Sequence, residues 1–243
     1  MTEPLSTRSS YDVPGKLMHT PVQSGKLPIE LKSVYSARFS GSEAYRNRIW
    51  RVLISEFFSR WVRPNHSVLD LGCGYCEFIN NVSAGKKFAM DLNPAVHRYV
   101  AAGTRFLEQD CSDRWDLPDD SLDIVFSSNF FEHLSTKSAL KSALREASRC
   151  LKPDGLLIAV GPNIKYLHGK YWDFFDHHIP LTENSLSELC YLAGFKIERA
   201  TAKFLPYTMS RGFQPPIWSL RLYLKLPLLW RFFGRQFVVI ARK

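Results

Sequence analysis

The sequence predicts an α/β fold: a doubly wound, Rossmann-like domain whose seven-stranded, mostly parallel sheet carries helices on both faces. Two observations support this prediction. Short apolar runs alternate with segments whose apolar residues repeat at helical spacing, which is typical of right-handed strand–helix–strand crossovers. The chain also has 243 residues, 45% of them hydrophobic and 23% charged, so one domain with a sizeable core can form.

Five short apolar runs are expected to form the parallel part of the sheet. They cover residues 67–71, 88–91, 105–107, 122–127 and 156–160. Helices are expected over 42–62, over 140–151 and, after the capping Thr182, over 183–193, the first two ending before Pro64 and Lys152-Pro153. Two last strands, 196–204 and 236–241, complete the seven. Ligands of such a sheet bind beyond the carboxyl ends of its strands.

Composition and charge divide the chain into regions. Residues 1–41 contain prolines at positions 4, 14, 21 and 28 and are predicted to form an irregular N-terminal arm, followed by one domain over 42–243. Of the 32 basic and 23 acidic residues, ten basic residues and one acid lie in 196–243, so the remaining 22 of each sign balance. This basic C-terminal fifth predicts either an anionic partner, such as a phospholipid surface, nucleic acid or a phosphorylated substrate, or a solvated basic face.

The segment 206–235 is predicted to be an apolar and basic insertion between the last two strands. On an ideal helix Arg221, Lys225, Arg231 and Arg235 would share a face about 120° wide, although Pro227 should break or kink such a helix. Basic amphipathic segments of this kind bind the interface of an anionic membrane. The alternative is that the apolar residues pack on the domain as a lid, or on a second subunit.

Cysteine usage and hydropathy predict a cytoplasmic protein, with peripheral contact at the inner membrane surface as an option. The five cysteines are an odd number at irregular spacing, which favours a reducing compartment. No run reaches the roughly 18–20 apolar residues of a membrane-spanning helix, and the first residues contain no apolar leader. Cys73 and Cys76 form a lone C-x-x-C, and because a structural zinc site needs about four ligands, we expect packing residues here and no metal site.

A glycine motif, Leu69-Asp-Leu-Gly-Cys-Gly74, stands where the first strand turns into the following helix. Gly72 and Gly74 have no Cβ and let the backbone approach a ligand closely. The free N–H groups of the helix that follows are expected to face the same ligand. Asp70, at the end of the strand, can accept hydrogen bonds from an ammonium group.

Acidic residues follow the next two strands. Asp91 ends the second strand 17 residues after Gly74, where an acid commonly accepts hydrogen bonds from the two hydroxyls of a ribose. Asp110, beyond the third strand, comes within reach of an adenine amino group, and Cys111 offers a backbone N–H. Each acid alone is readily explained as a turn former. Together, in this order and at these strand ends, they predict a ligand that contains adenosine.

A nicotinamide dinucleotide is the rival ligand, because Tyr166 and Lys170 form a Y-x-x-x-K pattern of the kind found in reductases. The glycine pattern argues against it. A dinucleotide site requires a small residue at the last position of G-x-G-x-x-G, where the large Glu77 stands. The Tyr–Lys pair also follows the fifth strand in a Gly-containing stretch rather than lying within a helix, so we interpret it as a coincidence.

The order of these motifs resembles that of class I S-adenosylmethionine-dependent methyltransferases, from about Ser42 to the end of the sequence. The resemblance is carried by residues 69–74, Asp91, Asp110, Phe131-Glu-His-Leu134 and Leu151-Lys-Pro-Asp-Gly155, where Asp154 replaces the more usual Gly. It implies S-adenosylmethionine as the cofactor. The implied site consists of Asp70, Gly72, Cys73 and Gly74 around the methionine part, Asp91 at the ribose, Leu92 beside the adenine, Asp110 and Cys111 at the adenine edge, and Ser128 and Asn129 near the sulfonium. Glu132 and His133 would order their loop.

A narrower resemblance is to bacterial methyltransferases associated with surface-polysaccharide or glycolipid assembly, carried by residues 75–79, 127–134 and 171–182. The last of these segments leaves the fifth strand at the ligand edge and combines acids, imidazoles and aromatic rings, which suit a polar acceptor. A hydroxyl acceptor has a proton to lose, and His177, His178 or Asp173 could accept it. The alternative is that the histidines only hold this loop to the helix that follows.

These observations predict an S-adenosylmethionine-dependent methyltransferase that O-methylates a sugar, a glycolipid or another small polar acceptor. The alternative is a cofactor-binding scaffold or regulatory protein without transfer activity. A nucleic-acid methyltransferase is disfavoured, because Ser128-Asn-Phe-Phe131 stands where such enzymes carry an N/D-P-P-Y/F tetrapeptide.

Overall fold

The computed structural model describes residues 43–207 and 214–243 and contains one seven-stranded sheet. The predicted N-terminal arm, 1–41, lies outside the described residues. The strands are β1 (Ser67–Leu71), β2 (Lys86–Asp91), β3 (Thr104–Glu108), β4 (Leu122–Ser128), β5 (Leu151–Pro162), β6 (Lys196–Leu205) and β7 (Gln236–Arg242). They extend the predicted runs by a few residues at their ends.

The order of the strands across the sheet is β3-β2-β1-β4-β5-β7-β6. The first five strands are parallel, and β7 is antiparallel to both of its neighbours, β5 and β6. The chain reverses its direction of winding between β1 and β4, which is the point where α/β sheets open a crevice for a ligand. The predicted fold class is therefore confirmed.

Seven α-helices cover the described sheet. They are α1 (Glu43–Glu56), α2 (Glu77–Asn81), α3 (Lys137–Cys150), α4 (Ile164–Leu167), α5 (Glu183–Leu192), α6 (Ile217–Lys225) and α7 (Pro227–Phe233). Side chains cap three of them. The Thr136 hydroxyl accepts from Ala139 N, Oδ1 of Asn163 accepts from Lys165 N, and Thr182, the predicted cap, forms a capping box with Ser185.

Hydrophobic clusters lie on both faces of the sheet, because neighbouring strand residues point to opposite sides. Leu69 and Val125 belong to the cluster covered by α3 and α5, whereas Val68 and Phe126 belong to the cluster covered by α1, α2, α6 and α7. All four of these side chains are buried. Strands buried on both faces read as continuous apolar runs, which explains why the runs were visible in the sequence.

The segment between β6 and β7 differs from the single helix considered above. Leu226 separates α6 from α7, and Pro227 occupies the first turn of α7, where its missing N–H costs nothing. Arg235 lies beyond α7, and its N–H donates to Leu205 O. The expectation that Arg221, Lys225, Arg231 and Arg235 share one helical face is therefore wrong.

Both ends of this segment lie at the carboxyl edge of the parallel strands. Gln236, where β7 begins, pairs with Pro162 at the end of β5 and with Leu205 at the end of β6. Residues 206–235 therefore leave and rejoin the sheet at the edge where ligands of this fold bind. Within the described parts of the chain, none of the helices combines the length and apolar composition that crossing a bilayer requires.

The turn before the buried part of β5 contains Asp154, whose φ is +65°. This backbone conformation favours glycine, which accounts for the usual Gly at this position of the methyltransferase motif.

The cysteines are a second local feature. The five cysteines are buried free thiols. The Sγ atoms of Cys73 and Cys76 lie 3.7 Å apart, in keeping with their interpretation as packing residues.

Candidate active site

The glycine loop is held against the end of β2. The N–H groups of Gly72 and Cys73 both donate to Met90 O, at 2.9 and 3.1 Å. Gly72 has a φ of +70°, and a Cβ there would lie 2.1 Å from Cγ of Phe130. Only glycine satisfies both conditions, so the loop presents bare backbone to the crevice.

Asp70 is buried beneath this loop. Its Oδ2 accepts a hydrogen bond from Ile79 N at 3.3 Å, and burial raises the pKa of the carboxyl to about 8. The expectation that the helix N–H groups face the ligand needs correction here. α2 has five residues and begins at Glu77, after Cys76 in a left-handed conformation, and the Ile79 N–H is used by Asp70.

Glu77 occupies the position where a dinucleotide site requires a small residue. It is buried, and its Oε1 accepts a hydrogen bond of 2.6 Å from Nε of Arg46 in α1. The large side chain is therefore part of a buried ion pair that fills this position. Tyr166 lies in α4 and Lys170 in a separate 3-10 helix, so the Tyr–Lys pair does not lie on one helix.

Asp91 lies at the end of β2 next to the glycine loop. Its Oδ2 accepts from Gly74 N at 3.0 Å and its Oδ1 from Asn93 N at 2.9 Å. Burial raises the pKa of Asp91, and these backbone hydrogen bonds lower it in part. A carboxylate offers about four acceptor sites, so these backbone contacts leave acceptor capacity for a hydroxyl of a ligand. Leu92, the next residue, is half-buried.

Asp110 lies beside Asp91, because Gln109 N donates to Asp91 O. Its Oδ1 accepts from the backbone N and the hydroxyl of Ser112, at 2.8 and 2.7 Å, so this oxygen stabilises its own turn. Cys111 is buried, and its carbonyl accepts from Nε1 of Trp115. These residues follow the end of β3, at the edge of the sheet where Asp91 also lies.

Ser128 and Asn129 stand where β4 ends, at the switch point of the sheet. Asn129 has a φ of +50°, its N–H donates to Val160 O, and its Nδ2 lies 3.1 Å from the hydroxyl of Ser128. Its Oδ1 is buried and has no hydrogen-bond partner among the described residues. A buried amide oxygen without a partner is costly, so a donor from a ligand would stabilise it.

A second loop crosses the same edge and is joined to the end of β4. The carbonyl of Glu132, in the 3-10 helix Phe131–His133, accepts from the N–H groups of both His178 and Ile179, at 2.8 and 3.1 Å. The loop is also fixed through the hydroxyl of Tyr171, which donates to Ile179 O. The segment 171–179 therefore has a defined position beside the switch point.

Four ionisable side chains meet between these two loops. Nδ1 of His133 lies 3.0 Å from the carbonyl O and 3.3 Å from Oδ2 of Asp176, and its Nε2 lies 3.9 Å from Oε1 of Glu132. Burial raises the pKa of Glu132 to about 7, and His133 lowers it in part. Burial lowers the pKa of His133, but Asp176 and Glu132 outweigh this and leave it raised. His177 is the fourth member, with its ring centroid 4.8 Å from that of His133.

The three candidate bases have different surroundings. His177 is buried, stacked on Phe174 and close to Tyr171, whereas His178 and Asp173 are exposed. The structure brings His177 into the cluster with His133, and it does not bring the side chains of His178 or Asp173 into that cluster. The sequence analysis did not single out Asp176 as a partner of His133, since the two are 43 residues apart and share no motif spacing.

Comparison with known proteins agrees with this geometry. Residues 69–159 match the family described as "Methyltransferase domain". The match to a methyltransferase domain therefore covers 91 of the 243 residues. The matched segment runs from the glycine motif through β5, so it includes Asp70, Asp91, Asp110 and Asn129.

Two solved structures share the fold of most of this chain. An S-adenosylmethionine-dependent methyltransferase from Archaeoglobus fulgidus superposes with a TM-score of 0.64, at 19% identity, over 87% of this chain and 99% of that one. A chain in the complex of the Haloferax volcanii Trm112 methyltransferase activator with a methyltransferase gives 0.62, at 18% identity, over 87% and 96%. The predicted enzyme class and its cofactor, S-adenosylmethionine, agree with the domain and with this fold.

A curated relative is similar over a shorter stretch. An uncharacterised protein from Methanocaldococcus jannaschii is 30% identical over 132 residues, which are 51% of this chain and 48% of that protein. The chain therefore spans about half the length of this curated relative.

Proposed function

We propose that the protein transfers the methyl group of S-adenosylmethionine to a hydroxyl of a sugar, a glycolipid or another small polar acceptor. The observation that carries this proposal is the meeting of two loops at the switch point. The glycine loop with Asp91 and Asn129 suits the cofactor, and the segment 171–179 lies beside it with buried polar groups suited to an acceptor.

Alignment is the main contribution that such a site makes to methyl transfer. The sulfonium of the cofactor is already a good leaving group, so the acceptor oxygen needs to be held in line behind the methyl carbon. Positioning of this kind contributes about 7–11 kcal/mol to a two-substrate reaction. The hydrogen bonds of Glu132 O to residues 178 and 179 fix the acceptor side relative to the end of β4.

A hydroxyl acceptor also loses a proton, and His177 is the candidate base that the surroundings favour. It is buried beside the cofactor edge, whereas His178 and Asp173 face solvent. A positioned base contributes about a hundred- to ten-thousandfold to the rate. Trp172 and Phe175, which are 53% and 91% exposed on the same segment, offer flat apolar surfaces of the kind that stack on sugar rings.

We further propose that the acceptor is presented at an anionic membrane surface. The helices α6 and α7 expose the apolar side chains of Trp218, Leu222, Leu228, Phe232 and Phe233. Arg221, Lys225 and Arg231 lie among them, and exposed apolar side chains with basic neighbours suit the interface of anionic lipids. Tyr207, at the start of this segment, packs on Phe174 of the acceptor loop with ring centroids 5.9 Å apart, which connects the surface to the site.

Transfer to a defined acceptor tests the function. The full-length protein would be incubated with S-adenosylmethionine carrying a trideuterated methyl group and, separately, with oligosaccharides, glycolipids and nucleic acid. A product heavier by one labelled methyl group on a sugar hydroxyl is expected. Tight cofactor binding without labelled product from any acceptor would instead favour the scaffold alternative, and labelled nucleic acid would contradict the acceptor class.

A further inference from the structure

We propose that Glu132, His133 and His177 form a binding site for a divalent transition-metal ion beside the acceptor. The atoms that these three side chains would offer as ligands lie within 4.8 Å of one another. Glu132 and His177 are buried, and His133 is partly buried, so the site is enclosed by the two loops. A carboxylate and two imidazoles are a ligand set found in catalytic zinc sites.

The buried carboxylate of Glu132 is the first observation that supports a bound cation. Glu132 is 1% exposed, and its Oε2 has no hydrogen-bond partner among the described residues. Its Oε1 lies 3.9 Å from Nε2 of His133, beyond the distance of a hydrogen bond. A buried carboxylate oxygen without a partner is costly, and a bound cation would satisfy it.

The orientation of the His133 ring is the second observation that supports a metal site. Its Nδ1 faces two acceptors, the carbonyl O and Oδ2 of Asp176, so Nδ1 carries a proton and the lone pair of the neutral ring lies on Nε2. Nε2 is the nitrogen that faces Glu132. A carboxylate behind a histidine in this manner orients the ring and increases its basicity toward a metal.

The ligand atoms are farther apart than in a loaded site and need side-chain rotation to close on an ion. Ligand distances of about 2.1 Å around a tetrahedral ion place neighbouring ligand atoms about 3.4 Å apart. The pair formed by Glu132 Oε1 and His133 Nε2 is at 3.9 Å, and all three ligand atoms lie within 4.8 Å of one another, so each pair has to close by at most about 1.4 Å. Three protein ligands leave a fourth position open for water or for a hydroxyl of the acceptor.

The chemistry of the open position rests on the proposed function. A hydroxyl bound to a divalent metal loses its proton more readily, so the ion would prepare the acceptor oxygen for methyl transfer. In this arrangement His177 holds the ion in place of acting as the base, and the proton passes to solvent. Metal binding itself requires only the three side chains. It can therefore be measured without any acceptor, and an inactive protein that binds the metal would contradict the proposed function alone.

Cobalt(II) is the probe, because its visible absorption reports the number and type of its ligands. Tag-free full-length protein, freed of metal with a chelator, would be titrated with CoCl₂ at neutral pH. We expect saturable binding of one ion, with absorption bands of a four- or five-coordinate site and displacement of the cobalt by ZnCl₂. A sulfur-to-cobalt charge-transfer band would assign the ion to cysteines such as Cys73 and Cys76 and overturn the proposal.

Variants separate the ligands from their neighbours. Glu132→Gln and His177→Ala should abolish the saturable phase, and Asp176→Asn, which removes no ligand, should weaken binding about ten- to a hundredfold. His178→Ala is the matched control, because its exposed side chain adjoins His177, and it should bind cobalt like wild type. Thermal unfolding in the presence of chelator identifies variants that fail to fold. If His177→Ala does not fold, the Glu132→Gln variant still tests the site, because glutamine has nearly the same size and shape as glutamate. Equal cobalt binding by wild type, Glu132→Gln and His177→Ala, or no binding by folded wild type, would overturn the site.

Discussion

Nε of Arg46 donates a 2.6 Å hydrogen bond to Oε1 of Glu77, and the pair joins α1 to the start of α2. The side chains are 5% and 11% exposed. Because α2 follows the glycine loop directly, this ion pair fixes the loop from the side opposite the ligand. A buried pair of this kind contributes to stability chiefly because each partner prevents the other from being buried as an uncompensated charge.

Glu77→Gln should therefore destabilise the protein by more than about 1 kcal/mol, since it removes the buried carboxylate to which Nε of Arg46 donates. Chemical denaturation of wild type and variant measures the difference. Asp116→Asn is the control, because it breaks an exposed ion pair with Arg105 and should cost less than about 1 kcal/mol. Equal decreases in the free energy of unfolding of the two variants would show that the buried Arg46–Glu77 pair stabilises the protein no more than the exposed pair does.

Gly72→Ala should be far more damaging than Gly103→Ala. Both glycines have positive φ, +70° and +84°, so both variants carry backbone strain of about 1–2 kcal/mol. Only Gly72 has Phe130 in the way, and overpacking adds roughly 1–3 kcal/mol. Melting temperatures compare the two. Phe130→Ala in the Gly72→Ala background should restore part of the loss, and the absence of any such rescue would argue against the contact as its cause.

Asp91→Ala should weaken binding of S-adenosylhomocysteine, the demethylated cofactor, by about 1.5–3 kcal/mol, the contribution of hydrogen bonds to a charged group. Calorimetric titration measures it. Glu108→Ala is the matched control, because Glu108 pairs with Asp91 in register across β2 and β3 but has an exposed side chain. The Glu108→Ala variant should bind S-adenosylhomocysteine with wild-type affinity. Unchanged affinity in Asp91→Ala would remove this carboxylate from the site.

Asp70 should make stability depend on pH in the direction opposite to most carboxyls. Its pKa in the folded protein, about 8, exceeds the unfolded value of 3.8, so the folded state holds the proton more strongly between these values. The free energy of unfolding contributed by Asp70 then falls as pH rises from about 4 to 8, by at most about 1.4 kcal/mol per pH unit. Denaturation of wild type and Asp70→Asn from pH 5.5 to 8.5 checks this. A constant difference between the two proteins would contradict the raised pKa.

The exposed surface of α6 and α7 should bind vesicles that contain anionic lipid. Sedimentation with phosphatidylglycerol vesicles, compared with neutral phosphatidylcholine vesicles, is the measurement. Each basic side chain near such a surface contributes about 1 kcal/mol, and the attraction should weaken at 1 M salt, where the Debye length is about 3 Å. Gln substitution of Arg221, Lys225 and Arg231 should release the protein from the vesicles.

A matched apolar test compares exposed side chains of α6 and α7 with those of α5. Trp218→Ser with Phe232→Ser should reduce sedimentation, whereas Tyr191→Ser with Leu192→Ser on α5, which are equally exposed, should leave it unchanged. Wild-type protein that stays in the supernatant at low salt would contradict the membrane proposal and favour a subunit interface.

Local pattern was sufficient to predict most of the fold. Strands such as β1 and β4 are buried on both faces, so their apolar runs are visible without knowledge of their neighbours. Asp91 and Asp110 were found because the carboxyl ends of parallel strands meet at one edge. The break between α6 and α7 at Pro227 could be predicted because proline has no N–H. The position of Arg235 outside α7 could not be predicted in this way.

Contacts between distant segments could not be predicted in the same way. Arg46 and Glu77 are 31 residues apart, and nothing in either local sequence indicates the other. Cys76 has a left-handed backbone conformation, and α2 therefore begins only at Glu77. Such a conformation is usually predicted from a glycine, and this position is a cysteine. The cluster of Glu132, His133 and His177 likewise depends on how the loop 171–179 folds back over β4.

The place of β7 has a consequence for synthesis on the ribosome. β6 pairs only with β7 in the described sheet, so it has no partner strand until residues 236–242 have emerged. At about 5–20 residues per second, the 37 residues from 206 to 242 take roughly 2–7 s to make. An unpaired strand edge invites aggregation, and charged side chains counteract it. Lys196, Glu198, Arg199 and Lys203 place charged side chains along β6, which disfavours pairing with another chain both before β7 emerges and at the edge of the finished sheet.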